Sequence, residues 1–141
     1  MAASEVLDLS QWKKPEETSP EQLEAGIVDA RGADWRRIKL GKLNLTKAKL
    51  CRCDLRGSDL SLCQLNEADL RLAKYDSDTK FPDEFDISTS GAIGPGAKLN
   101  GAYLNGTDLR EMDLRQSSLM GAYLSGSDLS GALLDLSLIH I

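Results

Sequence analysis

The hydrophobic residues of this chain repeat with a spacing of five. Leucine occupies every fifth position from Leu40 to Leu70 and again from Leu99 to Leu134, and Trp35 and Tyr75 extend the first series at its two ends. An α-helix has about 3.6 residues per turn and a β-strand alternates its side chains with a period of about 2, so neither keeps such a series on one face. The pattern therefore predicts a repeat architecture.

The positions around each leucine are patterned as well. Two residues before it stands a small or slim residue, with Ile38, Leu43 and Met112 as exceptions. The residue in between is mostly polar, and glycine is frequent two places after the leucine, as in Ser127-Asp128-Leu129-Ser130-Gly131. Alternating large and small residues would fill a narrow shaft without voids. Glycine or a small polar residue suits a corner where the chain turns sharply.

This consensus, A-(D/N)-L-x-(G/x), resembles the repeat of the pentapeptide-repeat family over roughly residues 33–134. The resemblance implies an all-β fold, a right-handed quadrilateral β-helix, in which each pentapeptide forms one side of a square coil and four pentapeptides make one turn. Because no coil buries its own faces, the stacked coils would share one core. The resemblance is to the bacterial, and more narrowly the cyanobacterial, type of the family.

The N-terminal segment, residues 1–27, is expected to cap the open end of the solenoid. Ser19, Pro20 and Gln22 have the spacing of a capping box and indicate a short helix. Apolar residues between 6 and 12 are expected to fold back onto the first coil. An amphipathic helix that binds a partner is the alternative for this segment.

The solenoid itself is predicted for residues 28–135, with an interruption at about 76–90 where the two leucine series are out of phase. The interrupting segment contains Phe81 and Phe85, the two phenylalanines of the chain. It resembles a loop insertion seen in some cyanobacterial-type members, and its aromatic rings are expected to fold onto the outer wall. Two roles are compatible with this loop: packing against the side of the solenoid, and binding a partner.

Two pairs of outward residues are candidates for a contact surface. Tyr103 and Tyr123 lie twenty residues apart and are predicted to stack as an exposed two-rung ladder. Asp108 and Asp128 have the same relation on the next side. The tyrosine pair is interpreted either as a partner contact or as a cross-rung pair that stabilises the sheet.

Catalytic and metal-binding chemistry is not expected. The single histidine, His140, lies in the C-terminal segment. Cys51 is predicted to face outward while Cys53 and Cys63 face inward, so the thiols do not converge on a metal ion. Neither the P-loop nor the dinucleotide-binding glycine motif occurs. We therefore expect no enzyme activity, no metal and no cofactor.

Location is predicted from the same residues. An odd number of cysteines, with no secretory signal and no apolar run long enough to span a membrane, indicates a cytoplasmic protein.

The last six residues, 136–141, are interpreted as a non-native tail. Their sequence, LSLIHI, is what the transposase adapter used for sequencing libraries encodes when it is translated. On this interpretation the natural chain continues beyond residue 135.

Two functions are compatible with the repeats. The first is a protein-interaction or structural scaffold with an unidentified protein partner, for which self-association through exposed end coils is a further expectation. The alternative is DNA mimicry directed at DNA gyrase or topoisomerase, which requires an acidic rod. The chain has a net charge of −5, yet residues 36–56 contain eight basic residues and the single acid Asp54. Such a basic band disfavours a duplex mimic, and without interleaved aromatic residues it does not predict nucleic-acid binding.

Overall fold

The chain forms a four-sided β-solenoid. The structure, a computed structural model, describes residues 27–135 and the backbone of residues 6–8. Its regular elements are short, and most contacts between successive coils are isolated β-bridges. The regular elements are β1 (Val6–Asp8), β2 (Ile27–Asp29), a 3₁₀ helix (Ile87–Thr89), β3 (Asp113–Leu114) and β4 (Leu133–Leu134).

Successive coils are in register at twenty residues, so four pentapeptides complete one turn. The bridged residues are those just before each inward position, most of them polar, and every isolated bridge is parallel. The leucine N–H donates to the coil above, as from Leu45 to the Gln64 carbonyl (2.8 Å), while the residue before it donates to the coil below, as from Lys49 to the Val28 carbonyl (2.8 Å). The bridges with this register are Asp29↔Lys49, Asp34↔Asp54, Lys39↔Asp59, Asn44↔Gln64, Lys49↔Asp69, Asp54↔Lys74, Lys98↔Ser118, Tyr103↔Tyr123 and Asp108↔Asp128.

Most corners are tight turns whose third residue is in the left-handed conformation. The carbonyl of an inward leucine accepts a hydrogen bond from the N–H three residues later, as from Ala48 to Leu45 (3.0 Å). A positive φ at the third residue of such a turn favours glycine, and Gly57 at 75° is an example. Arg37 adopts the same conformation at 58° without that advantage.

The core is the shaft of the solenoid. Leucines of both series are buried, from Leu40 to Leu70 and from Leu99 to Leu119, together with most of the small residues two positions earlier. The predicted inward orientation of both positions is confirmed. The final coil is less covered, since Leu124, Leu129 and Leu134 are only half-buried against this core.

Strand β1 adds one rung at the N-terminal end. It pairs in parallel with β2, Val6 opposite Ile27 and Asp8 opposite Asp29. The expectation that part of the N-terminal segment returns to the first coil is therefore confirmed for residues 6–8. The predicted capping helix near residues 19–26 and the interpreted tail at 136–141 lie outside the described residues.

Residues 76–93 form a distorted coil where a loop insertion was expected. Lys80 bridges Asp59 at a separation of twenty-one residues, and Ile93 bridges Lys74 at nineteen. Between them the chain runs through the 3₁₀ helix, whose first turn is capped by the Asp86 carboxylate accepting from the Ser88 N–H (3.0 Å). One residue is gained and two are lost along this coil, which accounts for the change of phase between the two leucine series.

A close approach fixes the end of this coil. The side chain of Tyr75 is buried, and its hydroxyl donates to the Pro95 carbonyl at 2.7 Å. A Cβ atom at Gly94 would lie 2.6 Å from the Tyr75 carbonyl oxygen and 2.7 Å from two carbons of its ring. The Tyr75 ring thus occupies the space that an inward leucine would fill at position 94.

Candidate partner-binding surface

The two predicted tyrosines form a stacked, solvent-exposed pair. Tyr103 and Tyr123 are bridged on adjacent coils, and their ring centroids are 4.9 Å apart with an interplanar angle of 12°. Tyr103 is 75% exposed and Tyr123 is 52% exposed. Met120, at the corner that leads into the side of Tyr123, is 51% exposed. We call these three residues the tyrosine surface.

The predicted aspartate pair is also bridged, but the two carboxylates have different partners. Asp108 is held by Arg110, whose Nη2 lies 2.8 Å from a carboxylate oxygen. Asp128 accepts hydrogen bonds from the N–H and the hydroxyl of Ser130, at 3.0 and 2.6 Å. These bonds lower the pKa of both carboxyl groups. Both carboxylates remain ionised on the outer face.

The two phenylalanines pack on each other and on the core. Phe81 meets the Tyr75 ring edge to face at 5.9 Å, and Phe85 stacks on Phe81 at 5.8 Å. Both phenylalanines are half-buried. The structure therefore joins these candidates to the distorted coil and separates them from the tyrosine surface.

A recurring ion pair was not singled out from the sequence. At six corners an aspartate before the inward residue receives a bidentate hydrogen bond from an arginine two positions later, and the N–H of that arginine donates to the same carboxylate. The signal was present as the tripeptide Asp-Leu-Arg, with alanine or tryptophan in place of leucine at two corners. The pairs are Asp29–Arg31, Asp34–Arg36, Asp54–Arg56, Asp69–Arg71, Asp108–Arg110 and Asp113–Arg115.

These pairs decide the electrostatics of the walls. Hydrogen bonding from Arg36 lowers the pKa of Asp34 to about 2. For Asp29 and Asp113 the pKa is likewise lowered by the arginine two residues later. Because each carboxylate is compensated within its own repeat, it adds little negative potential to the outer surface.

Charged residues are unevenly distributed along the solenoid. Residues 27–75 contain 11 Lys and Arg against 6 Asp and Glu, whereas residues 76–135 contain 4 against 10. Residues 27–135 together contain 15 cationic and 16 anionic residues. The described rod is therefore nearly neutral overall, with a basic first half and an acidic second half.

The thiols are poorly suited to redox or metal chemistry. Cys53 and Cys63 are free and buried, and burial raises the pKa of both, that of Cys63 to about 11. Within residues 27–135, no group of three or more His, Cys, Asp or Glu side chains is arranged to hold a metal ion. The part of the chain that the structure describes also contains no helix long and apolar enough to cross a membrane.

Fold and surface together define a repeat solenoid with flat walls. The chain belongs to the pentapeptide-repeat family, since the family described as "Pentapeptide repeats" matches it in eight copies over residues 28–57, 38–74 and 97–135. Family membership implies a right-handed β-helix, and proteins of this family are generally structural or interaction proteins. No curated protein sequence matches the chain.

Several solved structures are similar to this chain. HetL from the cyanobacterium Nostoc sp. strain PCC 7120, a pentapeptide-repeat protein involved in heterocyst differentiation regulation, is 28% identical, with a TM-score of 0.35 and coverage of 80% of this chain and 64% of HetL. The plasmid-mediated fluoroquinolone resistance protein QnrB1 is 14% identical (TM-score 0.39; 92% and 72% covered). Rfr23 from the cyanobacterium Cyanothece 51142 is 19% identical (TM-score 0.25; 76% and 60% covered). The chain thus spans less than two thirds of the length of HetL.

Proposed function

We propose that this protein is a non-enzymatic, cytoplasmic scaffold that binds a protein partner through the tyrosine surface. The observation that supports the proposal is the stacked pair Tyr103–Tyr123, which leaves more than half of each side chain exposed to solvent. Aromatic residues with such exposure are enriched where proteins bind each other, because they supply large contact areas at low entropic cost.

The alternative is that the pair only stabilises the sheet, but this role does not explain why both side chains are more than half exposed. Stacking of two aromatic rings contributes about 0.5–1.5 kcal/mol beyond the area that it buries. Every other isolated bridge joins polar or charged side chains except at the buried Ile93. The half-exposed Leu133 lies in the terminal strand β4. Tyr103, Tyr123 and Met120 therefore concentrate exposed apolar area on one part of the second half.

The other candidate residues do not form the main contact in this proposal. Asp108 and Asp128 would form a polar rim on a neighbouring wall, with Arg110 bound to the first. Phe81 and Phe85 are assigned to packing of the distorted coil, since each is half-buried and in ring contact with an aromatic neighbour.

DNA mimicry is the less favoured function. A duplex mimic needs a rod of uniformly negative potential, and the first half of this solenoid carries an excess of cations. Paired Asp and Arg side chains at six corners reduce the negative potential further.

The test compares partner capture by two surface variants. In the first, Tyr103→Ser and Tyr123→Ser remove the tyrosine surface. In the control, Leu62→Ser removes a side chain that is 58% exposed in the first half of the chain. We expect a protein captured by the wild type from a native lysate to be lost with the first variant and retained with the control. Equal capture by both variants would contradict the proposal, and capture of gyrase subunits would favour DNA mimicry.

A further inference from the structure

A groove lies directly beside the tyrosine surface. It has a volume of about 490 Å³, and Tyr103 forms part of its wall. Leu72, Leu99 and Ala102 supply apolar lining. Its volume falls in the range of about 300–1,000 Å³ that is typical of ligand sites.

The charged residues that line this groove are all cationic. They are Arg52, Arg71 and Lys98, and no carboxylate is among the lining residues. Arg71 is engaged by Asp69 at 2.6 Å. Arg52 and Lys98 make no ion pair within 4 Å with any described residue. The Asp86 carboxylate, whose pKa is lowered by hydrogen bonds from Ser88 and to a smaller extent by the charge of Lys98, is outside the groove lining.

A second groove of similar size shows the contrast. It is lined by Arg36, Arg56, Lys74 and Arg110 together with Asp108 and Glu111. Its three arginines are all in ion pairs with aspartates. Lys74 makes no ion pair within 4 Å with any described residue either, but it shares its groove with two carboxylates. Of these two grooves, the one beside Tyr103 therefore combines cations with an apolar, aromatic lining that contains no carboxylate.

We propose that this groove binds an acidic segment of the partner protein, with carboxylates at Arg52 and Lys98 and an apolar side chain against Leu72 and Tyr103. The inference rests on the proposed function and names the chemistry of the partner. Charge complementarity supports it, because ion pairs with exposed cations steer an acidic chain and fix its register. The wall that carries Arg52 belongs to the basic half of the solenoid.

The probe is a fluorescein-labelled peptide of four glutamates around one phenylalanine, and binding is followed by fluorescence anisotropy. The test variant is Arg52→Gln with Lys98→Gln. The control, Arg37→Gln with Lys39→Gln, removes the same two charges elsewhere on the walls, and its arginine is matched, since Arg37 and Arg52 are both left-handed corner residues with φ of 58° and 61°. We expect the test variant to weaken binding about tenfold or more, as the loss of charge-assisted contacts implies. The control should retain affinity within about threefold of the wild type.

Several outcomes would overturn the inference. These are no binding of the acidic peptide, equal weakening in both variants, or binding of the glutamine version of the peptide with the same affinity. Competition by a single-stranded oligothymidylate at equal concentration would also overturn it, because the groove would then be a general anion site. Lys98→Gln alone, which leaves the left-handed corner residues untouched, repeats the measurement should the double variant unfold.

The two proposals fail separately. Tyr123 does not line the groove, so Tyr123→Ser changes the tyrosine surface while every residue that lines the groove is kept. Loss of partner capture by Tyr123→Ser without any effect of the Arg52→Gln and Lys98→Gln pair would leave the proposed function standing and remove the groove.

Discussion

Substitution of Gly94 by alanine should destabilise the solenoid more than any other glycine-to-alanine change in its walls. The added Cβ would sit 2.6 Å from the Tyr75 carbonyl oxygen and 2.7 Å from carbons Cδ2 and Cε2 of the ring. The ring cannot swing aside, because its hydroxyl is bonded to Pro95 and the ring itself packs against Phe81. Since the nearest contact is with backbone, the coil itself must shift.

The cost follows from overpacking a filled shaft. Such changes typically destabilise by about 1–3 kcal/mol, and the backbone clash places Gly94→Ala at about 3 kcal/mol. For a chain of 141 residues, this corresponds to a fall of roughly 10 °C in the melting temperature. Thermal unfolding followed by far-ultraviolet circular dichroism measures it.

The control is Gly101→Ala. Gly101 has a φ of +70°, and no atom lies within 4 Å of the position that an added Cβ would take, so the change incurs only left-handed backbone strain of about 1–2 kcal/mol. In a Tyr75→Leu background, Gly94→Ala should cost about 1 kcal/mol less than in the wild type, because the ring contacts are gone. Equal melting temperatures for the Gly94 and Gly101 variants would refute the close approach.

Three further changes test other parts of the structure. Thr107→Val should stabilise the fold by up to about 1 kcal/mol in urea titrations, because the Thr107 hydroxyl is buried without a hydrogen-bond partner among the described residues. Ser58→Ala should instead destabilise it by about 1–3 kcal/mol, because the Ser58 hydroxyl is hydrogen-bonded to two backbone groups. A less stable Thr107 variant and a more stable Ser58 variant would contradict both assignments. Gln116→Gly should raise stability by about 0.5–1 kcal/mol, as glycine tolerates the φ of 65°, and a lower melting temperature would count against strain at that corner. The pKa of Asp34 is lowered by Arg36 to about 2, so its stabilising effect is complete above the ordinary value near 3.8 and is lost as pH falls through 2. The difference in melting temperature between wild type and Asp34→Asn should therefore shrink as the pH falls and vanish below pH 2, and a difference that persists there would exclude this ion pair as its source.

The repeat, its inward positions and its corners followed directly from the sequence, because a five-residue spacing is incompatible with helix or strand and every unit repeats the same local rule. Leu45 and Leu50 are buried for the same reason as Leu104 and Leu109. The stacked tyrosines followed from a twenty-residue separation. The inward positions need only the period, whereas the stacking of the tyrosines also needs the four-sided coil that the family resemblance implies.

The distorted coil could not be predicted in the same way. Its register depends on where single residues are gained and lost, and the sequence marks only the total change of phase between the two series. The pairing of Lys80 with Asp59 and of Ile93 with Lys74 depends on how the Tyr75 ring fills the shaft. The groove beside Tyr103 could not be predicted either, because its residues Arg52 and Lys98 lie in the sequence on opposite sides of the distorted coil.

The ion pairs at the corners have a consequence for how such a chain can change in length. Each pair, such as Asp54 with Arg56 or Asp113 with Arg115, is complete within three consecutive residues. A duplicated or deleted block of twenty residues therefore carries these corner pairs whole and leaves none of their carboxylates without its arginine. Solenoids built on this rule can grow or shrink by whole turns without breaking a corner ion pair.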